Sequence, residues 1–126
     1  MAVFVLVHGG YPQDQDVDPD SEDNVYGSTN GGHVFRRVDR ALTAMGHTVY
    51  RPTLSGYGSR IHLAGPQLAL NTLVRDITGL IEYEDLYRVI LLGFSFGGLV
   101  VSGVASRVPD RIHRLVYFDA FVPEDG

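Results

Sequence analysis

Short apolar runs without polar alternation limit most strongly what this chain can fold into. Such runs are typical of strands that are buried on both faces, as in a parallel sheet. Three such runs lie at 3–7 (VFVLV), 87–92 (YRVILL) and 114–118 (RLVYF). A more polar run at 47–51 (HTVYR) is also predicted to form a strand. Helical periodicity is found between the runs, over 33–45, 67–82 and 96–107. Strands that alternate with helices predict a three-layer α/β/α fold with a mostly parallel sheet.

The helix predicted over 33–45 illustrates this periodicity. Its apolar side chains fall on one face, which comprises Val34, Phe35, Val38, Leu42 and Met45. We expect Gly46 to end the helix as a C′ glycine.

Composition excludes several classes of function. The net charge of −5 offers nothing to nucleic acid or to an anionic membrane surface. No apolar run reaches the roughly 20 residues that span a bilayer, so no membrane partner is expected. The absence of cysteine excludes disulfides and thiolate zinc sites, and it favours a cytoplasmic location. No cofactor and no metal site is predicted.

The motif GFSFGG at 93–98 lies between an apolar run and a predicted helix. It matches G-x-S-x-G in the strand–turn–helix context that holds a nucleophilic serine on a sharp turn. Gly93 and Gly97 suit a tight turn that has no room for side chains at those positions, and the turn lifts Ser95 Oγ above the sheet. The helix N-terminus then directs backbone N–H groups, including that of Phe96, towards a developing oxyanion. The alternative is an ordinary strand–helix turn that contains a serine.

A second motif, His8-Gly9-Gly10, ends the first predicted strand. In a fold that carries its nucleophile on such a turn, the second oxyanion donor is a backbone N–H from the loop after an earlier strand. Two glycines allow the backbone to approach a substrate closely. The alternative is that these residues only turn the chain. His8, Gly9, Phe94 and Tyr11 are candidate substrate contacts, and His8 is equally open to a structural role.

With both motifs in view, the chain resembles the esterase and hydroxynitrile-lyase branch of the α/β-hydrolase fold, which includes plant methylesterases and small bacterial esterases. The resembling stretches cover nearly the whole chain outside the acidic segment, and they are FVLVHGG, GHVFRRVDRALTAMGHTVYRPTLSGYGSR and LIEYEDLYRVILLGFSFGGLVVSGVASRVPDRIHRLVYFDAFVPEDG. The resemblance implies that Ser95 is the nucleophile and that Gly10 and Phe96 supply the oxyanion N–H groups. Phe94 replaces the histidine often found there, which alters the pocket wall and not the core chemistry.

The catalytic residues of this fold follow the order serine, then aspartate or glutamate, then histidine. His113 is the only histidine after Ser95, and it is predicted near the bottom of the sheet, away from the nucleophile. Asp119 follows the run at 114–118, at the end of a strand where active sites of open sheets collect, so it is a possible acid. The alternative is that Asp119 caps the following turn. We therefore expect residues 1–126 to be the N-terminal part of one α/β-hydrolase domain, without the catalytic acid and histidine.

The run at 114–118 would become a sheet edge if the chain stopped at residue 126. Only Arg114 opposes edge pairing there, because the other residues of the run are apolar on both faces. The polar run at 47–51 is a more credible edge. We expect the strand at 114–118 to be covered by a missing C-terminal segment, a second polypeptide or the mate of a homodimer.

Residues 11–32 are predicted to form an acidic loop insertion. Aspartates alternate there as in a calcium loop, at Asp14, Asp16, Asp18 and Asp20. Pro19 stands where such a loop needs glycine, and Val25 stands where it needs glutamate. A solvated insertion is therefore preferred over a weak cation site or a pocket lid.

Three functions fit these features. The first is hydrolysis of a small-molecule ester through an acyl-Ser95 intermediate, with an isolated chain that is inactive or very weak because it lacks the histidine. The second is a non-catalytic half-domain that pairs through 114–118. The third is a hydroxynitrile lyase on the same scaffold. Fold alone does not determine function, and the esterase is taken as the default.

Overall fold

The computed structural model describes residues 1–10, 30–65, 68–120 and 122–123. Strands and α-helices alternate along them in the order β1 Val3–Val7, α1 Arg36–Ala44, β2 Thr48–Tyr50, α2 Leu70–Tyr83, β3 Val89–Phe94, α3 Gly97–Arg107 and β4 Ile112–Phe118. Short 3₁₀ segments are Gly32–Phe35, Gly58–Leu63 and Pro109–Arg111. Each predicted strand and helix is present, and its bounds differ from the predicted ones by a few residues. No helix in the described ranges is long and apolar enough to cross a membrane.

The strands form one parallel sheet in the order β2-β1-β3-β4. Val3 of β1 lies opposite Thr48 on one side and opposite Val89 on the other. The chain therefore moves from β1 outwards to β2 and then crosses back to β3. Right-handed crossovers place α1 on one face of the sheet and α2 and α3 on the other, so the expected three-layer α/β/α arrangement is confirmed. The carboxyl ends of β1 and β3 flank the point where the winding reverses, which is where open parallel sheets bind ligands.

The main core lies between the sheet and the helix pair α2 and α3. Val5 and Val7 of β1 and Leu91 of β3 are fully buried in it. They pack with apolar side chains of the two helices, among them Leu73, Ile77, Val100, Val101 and Val104. Side chains along β3 alternate between buried and half-buried, because this core covers one face of the sheet more completely than the other face is covered.

The opposite face of the sheet is less well covered, and only part of the apolar face of the helix at 33–45 is buried. Of the apolar face expected on the helix at 33–45, Phe35 is buried, but Val34, Val38 and Met45 are 47%, 46% and 70% exposed. The segment also divides into a 3₁₀ turn and α1, and no α1 residue is buried. A helix buries a whole apolar stripe only when neighbours flank it, and α1 is the one α-helix of the described residues on this face.

The end of α1 follows the prediction. Gly46 has a φ of 90°, which glycine adopts at little cost. The N–H groups of Gly46 and His47 donate to the carbonyl oxygens of Thr43 (3.0 Å) and Leu42 (3.1 Å). These bonds satisfy carbonyl groups that the last helical turn cannot pair within the helix.

The two edges of the described sheet are β2 and β4. As predicted for the run at 47–51, β2 is a short, half-buried edge strand. β4 is longer, and Tyr117 and Phe118 near its end are 36% and 59% exposed. Among the described residues, these rings leave the carboxyl end of β4 without the charged side chains that natural edges usually have.

Most of the acidic segment lies outside the described residues. Residues 11–29, which include Tyr11 and the aspartates of the calcium-like spacing, belong to this undescribed part. Where the chain is described again, Asn30 is exposed and Gly31 is buried. Gly32 begins the 3₁₀ turn, so the predicted loop ends one residue earlier than expected.

Two glycines on the packed helices offer a matched test of this core. A Cβ at Gly79 would meet no atom within 4 Å, whereas a Cβ at Gly103 would lie 2.7 Å from Val74 Cγ2. Alanine is favoured over glycine inside a helix by about 0.5–1 kcal/mol, so Gly79→Ala should raise the free energy of unfolding by about that amount. Gly103→Ala should lower it by about 1–3 kcal/mol through overpacking. Urea unfolding followed by circular dichroism measures both, and equal effects would contradict the described packing of α3 on α2.

Candidate active site

Ser95 occupies a sharp turn between β3 and α3. Its φ is 54°, in the left-handed region that residues other than glycine seldom adopt. The Ser95 N–H donates to the carbonyl oxygen of Phe118 at the end of β4 (3.4 Å). The Ser95 carbonyl accepts from the Gly98 N–H in the first turn of α3 (3.0 Å). Contacts on both sides therefore hold the strained conformation, and the predicted strand–turn–helix geometry at 93–98 is present.

Glycine is sterically required on both sides of this turn. A Cβ at Gly97 would lie 2.6 Å from the Val7 carbonyl oxygen and 2.7 Å from that of His8. A Cβ at Gly93 would lie 2.6 Å from the Gly97 carbonyl oxygen. Contacts this short with backbone atoms leave no room for any side chain, so α3 begins directly against the end of β1.

The loop after β1 also touches the turn. A Cβ at Gly9 would lie 2.9 Å from Ser95 Cβ and 3.0 Å from the Phe94 carbonyl oxygen. Gly10, the next residue, has a φ of 110°. The structure therefore brings together two motifs that are more than eighty residues apart in the sequence, His8-Gly9-Gly10 and the motif that contains Ser95.

His8 is fully buried beneath this contact, and both of its ring nitrogens are bonded. Nε2 accepts the Leu54 backbone N–H (3.0 Å), so Nδ1 carries the proton and donates to the Gly9 carbonyl oxygen (2.8 Å). Burial lowers the pKa of His8, the Gly9 bond raises it in part, and the charge of His33 lowers it further. Of the two roles left open by the sequence, this burial supports the structural one over direct contact with a substrate.

Tyr57 is a site residue that the sequence reasoning missed. Its side chain is fully buried, its hydroxyl donates to the Gly10 carbonyl oxygen (2.6 Å), and its ring centroid lies 5.1 Å from that of His8. Burial raises the pKa of Tyr57, so the hydroxyl stays protonated and able to donate. The signal in the sequence was an aromatic residue between Gly56 and Gly58 in a turn-rich segment, which does not say what the ring contacts.

A carboxylate on α2 holds the loop that carries Tyr57. Asp76 accepts the backbone N–H of Ser55 (2.7 Å) and also its hydroxyl (2.9 Å). The Tyr57 N–H in turn donates to the Leu54 carbonyl oxygen (3.1 Å). The loop after β2 is thus tied to α2 at one point and to the end of β1, through His8 and Gly10, at two others.

The phenylalanines on either side of Ser95 have different surroundings. Phe96 is 7% exposed, and its side chain belongs to the core. Phe94 is half-buried, and its ring centroid lies 5.7 Å from that of Phe118. Phe94 and Phe118 form an aromatic surface beside the turn, which is compatible with the predicted place of Phe94 in a pocket wall.

The remaining candidates lie at opposite ends of the sheet. Asp119 directly follows β4, is exposed and has a φ of 44°. Its neighbour Phe118 bonds Ser95, so Asp119 lies at the same end of the sheet as that serine. His113, the second residue of β4, lines a groove with Met1 and Arg88 at the amino end, as predicted. In the part of the chain that the structure describes, no group of three or more histidine or acidic side chains could hold a metal ion.

A serine raised on a glycine-flanked turn after a central parallel strand, beside a glycine loop from the neighbouring strand, is the arrangement of the α/β hydrolases. Comparison with known proteins agrees with this class. The model of the alpha/beta hydrolase family matches residues 4–126. The chain therefore belongs to this family.

Individual relatives extend the comparison. The carbendazim hydrolyzing esterase of Nocardioides sp. (strain SG-4G) is 44% identical over 126 residues, which are 100% of this chain and 45% of that protein. The alpha-hydroxynitrile lyase of Arabidopsis thaliana is 30% identical over 96% of this chain and 40% of its own length. A solved extracellular alpha/beta-hydrolase from a Paenibacillus species, described as homologous in structure and function to tobacco salicylic acid binding protein 2, superposes with a TM-score of 0.78 at 33% identity, over 100% of this chain and 43% of that one. The chain thus spans less than half the length of these relatives.

The burial of neutral His8 predicts a pH dependence of stability. The pKa of His8 lies below its ordinary value of 6.5 because the folded state disfavours the imidazolium. As the pH falls below 6.5, the unfolded chain takes up a proton that the folded chain does not. The free energy of unfolding should therefore fall by up to about 1.4 kcal/mol per pH unit from this group, whereas above that pH the contribution is constant.

Urea unfolding at a series of pH values between about 7.5 and 5 measures this slope. His8→Gln should flatten it, since glutamine does not titrate. His62→Gln, at an exposed histidine, is the matched control for the replacement of a histidine by glutamine. A His8→Gln variant that keeps the wild-type slope would show that His8 is not the group responsible.

Proposed function

We propose that this chain carries the nucleophile of a carboxylic ester hydrolase that acts through an acyl-Ser95 intermediate. The observation that carries the proposal is the contact of the strained serine with the glycine loop: Ser95 has a φ of 54°, and a Cβ on Gly9 would lie 2.9 Å from Ser95 Cβ. In this proposal the hydroxyl of Ser95 lies next to two sources of backbone N–H groups, the start of α3 and the loop after β1. The esterase among the relatives supports the class of reaction.

In this proposal Ser95 Oγ attacks the carbonyl carbon of the ester and passes its proton to a general base. The carbonyl oxygen takes the negative charge, and the N–H groups of Gly10 and Phe96 donate to it. The bond to the alcohol oxygen then breaks as that oxygen receives the proton, which leaves an acyl-serine. Water repeats the sequence and releases the carboxylic acid. Gly9 and Phe94 are proposed to contact the substrate around the reacting carbon.

The general base and its acid partner are proposed to lie outside residues 1–126. In this fold both follow the serine in the chain, and His113 lies at the amino end of its strand. Asp119 is an alternative for the acid, because it ends the strand next to the one that carries Ser95. This chain corresponds to 45% of the carbendazim hydrolyzing esterase, so a protein of that length has room for both groups.

The surroundings of the protein complete the proposal. The substrate is a small-molecule ester, and neither nucleic acid nor a membrane takes part. No cofactor is required, because acyl transfer to serine needs only a base and oxyanion donors. A cytoplasmic location is proposed from the absence of cysteine, although one structural relative is described as extracellular.

A chimaera tests the catalytic proposal. Residues 1–126 are joined to the part of the carbendazim hydrolyzing esterase that this chain does not match, and the chimaera and the isolated chain are treated with a fluorophosphonate. We expect the chimaera to be labelled at Ser95. The isolated chain should be labelled more slowly by at least about 10³-fold, because serine without its base is a weak nucleophile. Mass spectrometry of the labelled peptide measures the site and the rate.

The controls use a second serine. Ser95→Ala should abolish labelling, whereas Ser102→Ala should not change it, because Ser102 Oγ donates to the Gly98 carbonyl oxygen within α3 (2.8 Å). A folded chimaera whose labelling survives Ser95→Ala would refute the nucleophile. Labelling of the isolated chain as fast as the chimaera would refute the need for a base outside these residues.

A hydroxynitrile lyase is the second candidate, and the 30% identity to the Arabidopsis lyase favours it. Such a reaction would release cyanide and a carbonyl compound in place of an acid and an alcohol. Two chimaeras test this, one completed with the remaining part of the esterase and one with the remaining part of the lyase. In one preparation of each, the rate of cyanide release from a hydroxynitrile is compared with the rate of acid release from an ester. Cyanide release in both chimaeras that exceeds ester hydrolysis would replace the esterase proposal.

The exposed end of β4 favours a further possibility, in which this strand pairs with another segment or chain. We propose that it is covered by a C-terminal segment, a second polypeptide or a second copy of this chain. If a second copy covers it, the isolated chain should form a dimer by light scattering, and Phe118→Lys should return it to a monomer because charge opposes edge pairing. Tyr83→Lys, at a residue that is 92% exposed on α2, is the control and should leave the dimer intact. A monomeric wild-type chain would exclude pairing with a second copy.

A further inference from the structure

The peptide groups on either side of Gly10 are each held by a buried side chain. The oxygen of the Gly9–Gly10 peptide accepts from His8 Nδ1 (2.8 Å), and the oxygen of the next peptide, that of Gly10, accepts from the Tyr57 hydroxyl (2.6 Å). A trans peptide is planar, and its C=O and N–H bonds point in opposite directions. Holding the Gly9 oxygen therefore sets the direction of the Gly10 N–H.

One of these bonds is not enough to hold the loop. Gly10 has a φ of 110°, a conformation that glycine enters and leaves easily because it has no Cβ. If only the Gly9 oxygen were held, rotation about the backbone bonds of the Gly10 Cα could still reorient the peptide that follows Gly10. That rotation could in turn displace the Gly9–Gly10 peptide. The hydroxyl of Tyr57 holds that second peptide, so both planes next to Gly10 are constrained.

Tyr57 is itself well placed for this task. Its side chain is fully buried and lies against the His8 ring, at 5.1 Å between centroids. Its loop is anchored by the bond from the Leu54 N–H to His8 Nε2 and by the bonds of Ser55 to Asp76. A buried phenol with two rotatable torsions and an anchored backbone gives a fixed direction to its hydroxyl.

We propose that Tyr57 is a positioning residue that, through its bond to the Gly10 carbonyl, keeps the Gly10 N–H in the direction needed to stabilise the oxyanion. The inference rests on the proposed role of Gly10 as an oxyanion donor. Tyr57 touches neither the substrate nor the reacting atoms in this account. Its effect reaches the reaction through the backbone of the glycine loop alone.

Tyr57→Phe tests the inference because it removes the hydroxyl and keeps the ring. The matched control is Tyr117→Phe, which also removes a tyrosine hydroxyl engaged in a hydrogen bond, in that case to Ser102 Oγ (2.6 Å). The first measurement is the rate of fluorophosphonate labelling of Ser95 in the chimaera described above. Loss of a whole oxyanion donor costs about 10²–10³-fold, so a misdirected donor should slow labelling by about tenfold or more.

The second measurement reports the position of Gly10 without any chemistry. In the 126-residue chain labelled with ¹⁵N-glycine, we expect Tyr57→Phe to shift or broaden the Gly10 amide resonance and to leave the Gly79 resonance, on α2, in place. Tyr117→Phe should leave both unchanged. A purely structural role for Tyr57 would lower stability without selective change at Gly10.

The outcomes separate the two proposals. If the wild-type chimaera is labelled at Ser95 and Tyr57→Phe reacts as fast as Tyr117→Phe, the positioning role is wrong while the nucleophile stands. If the wild-type chimaera is not labelled, the proposed function fails, and the Gly10 resonance then decides whether Tyr57 holds the loop. An unchanged Gly10 resonance in Tyr57→Phe would overturn the inference on its own.

Discussion

The close backbone contact between the start of α3 and the end of β1 is the constraint on which the rest of the site depends. A Cβ at Gly97 would lie 2.6 Å from the Val7 carbonyl oxygen, so the helix can begin there only because position 97 has no side chain. That approach forces the chain to turn sharply at Ser95, at a φ of 54°, rather than to run on gradually from strand to helix. It also places the loop after β1 against the turn, where Gly9 contacts Ser95. A strained serine and a glycine loop are thus two consequences of one packing contact.

Hydrogen bonds between buried polar groups then fix the loops at the carboxyl end of the sheet. The loops after β1 and β2 carry backbone groups that the sheet cannot pair, and burying such groups without partners is costly. His8 and Tyr57 provide partners from inside the fold, through Leu54 and Gly10, and Asp76 provides another from α2. Because His8 is kept neutral by burial, it can accept one hydrogen bond and donate the other, which an imidazolium could not do. Two loops and one helix that come from distant parts of the chain are in this way held in one arrangement.

The two faces and the two edges of the sheet are covered to different extents, and this difference explains how far reasoning from the sequence could reach. On the face covered by α2 and α3, helical periodicity and burial agree. On the other face, part of the apolar stripe of the helix at 33–45 lies in solvent, since Val38 and Met45 are exposed. The pattern correctly marked which side of the helix is apolar, but periodicity carries no information about whether a neighbour is present to cover it. β4 shows the same contrast, since its apolar residues include the exposed Phe118. Both surfaces belong to a chain that spans less than half the length of its relatives.

What the sequence determined by itself was local: the alternation of strands and helices, the turn around Ser95, and the end of α1 at Gly46. These features depend on residues within a few positions of one another, where periodicity and the freedom of glycine act directly. The burial of His8 and the bond from Tyr57 to Gly10, 47 positions away, were decided by the tertiary structure alone. A hydrogen bond between distant residues requires that two loops lie close together at the end of a sheet. The sequence around either residue does not indicate this proximity. The parallel pairing of β1 with β2 produces it, because it places the carboxyl ends of these two strands side by side.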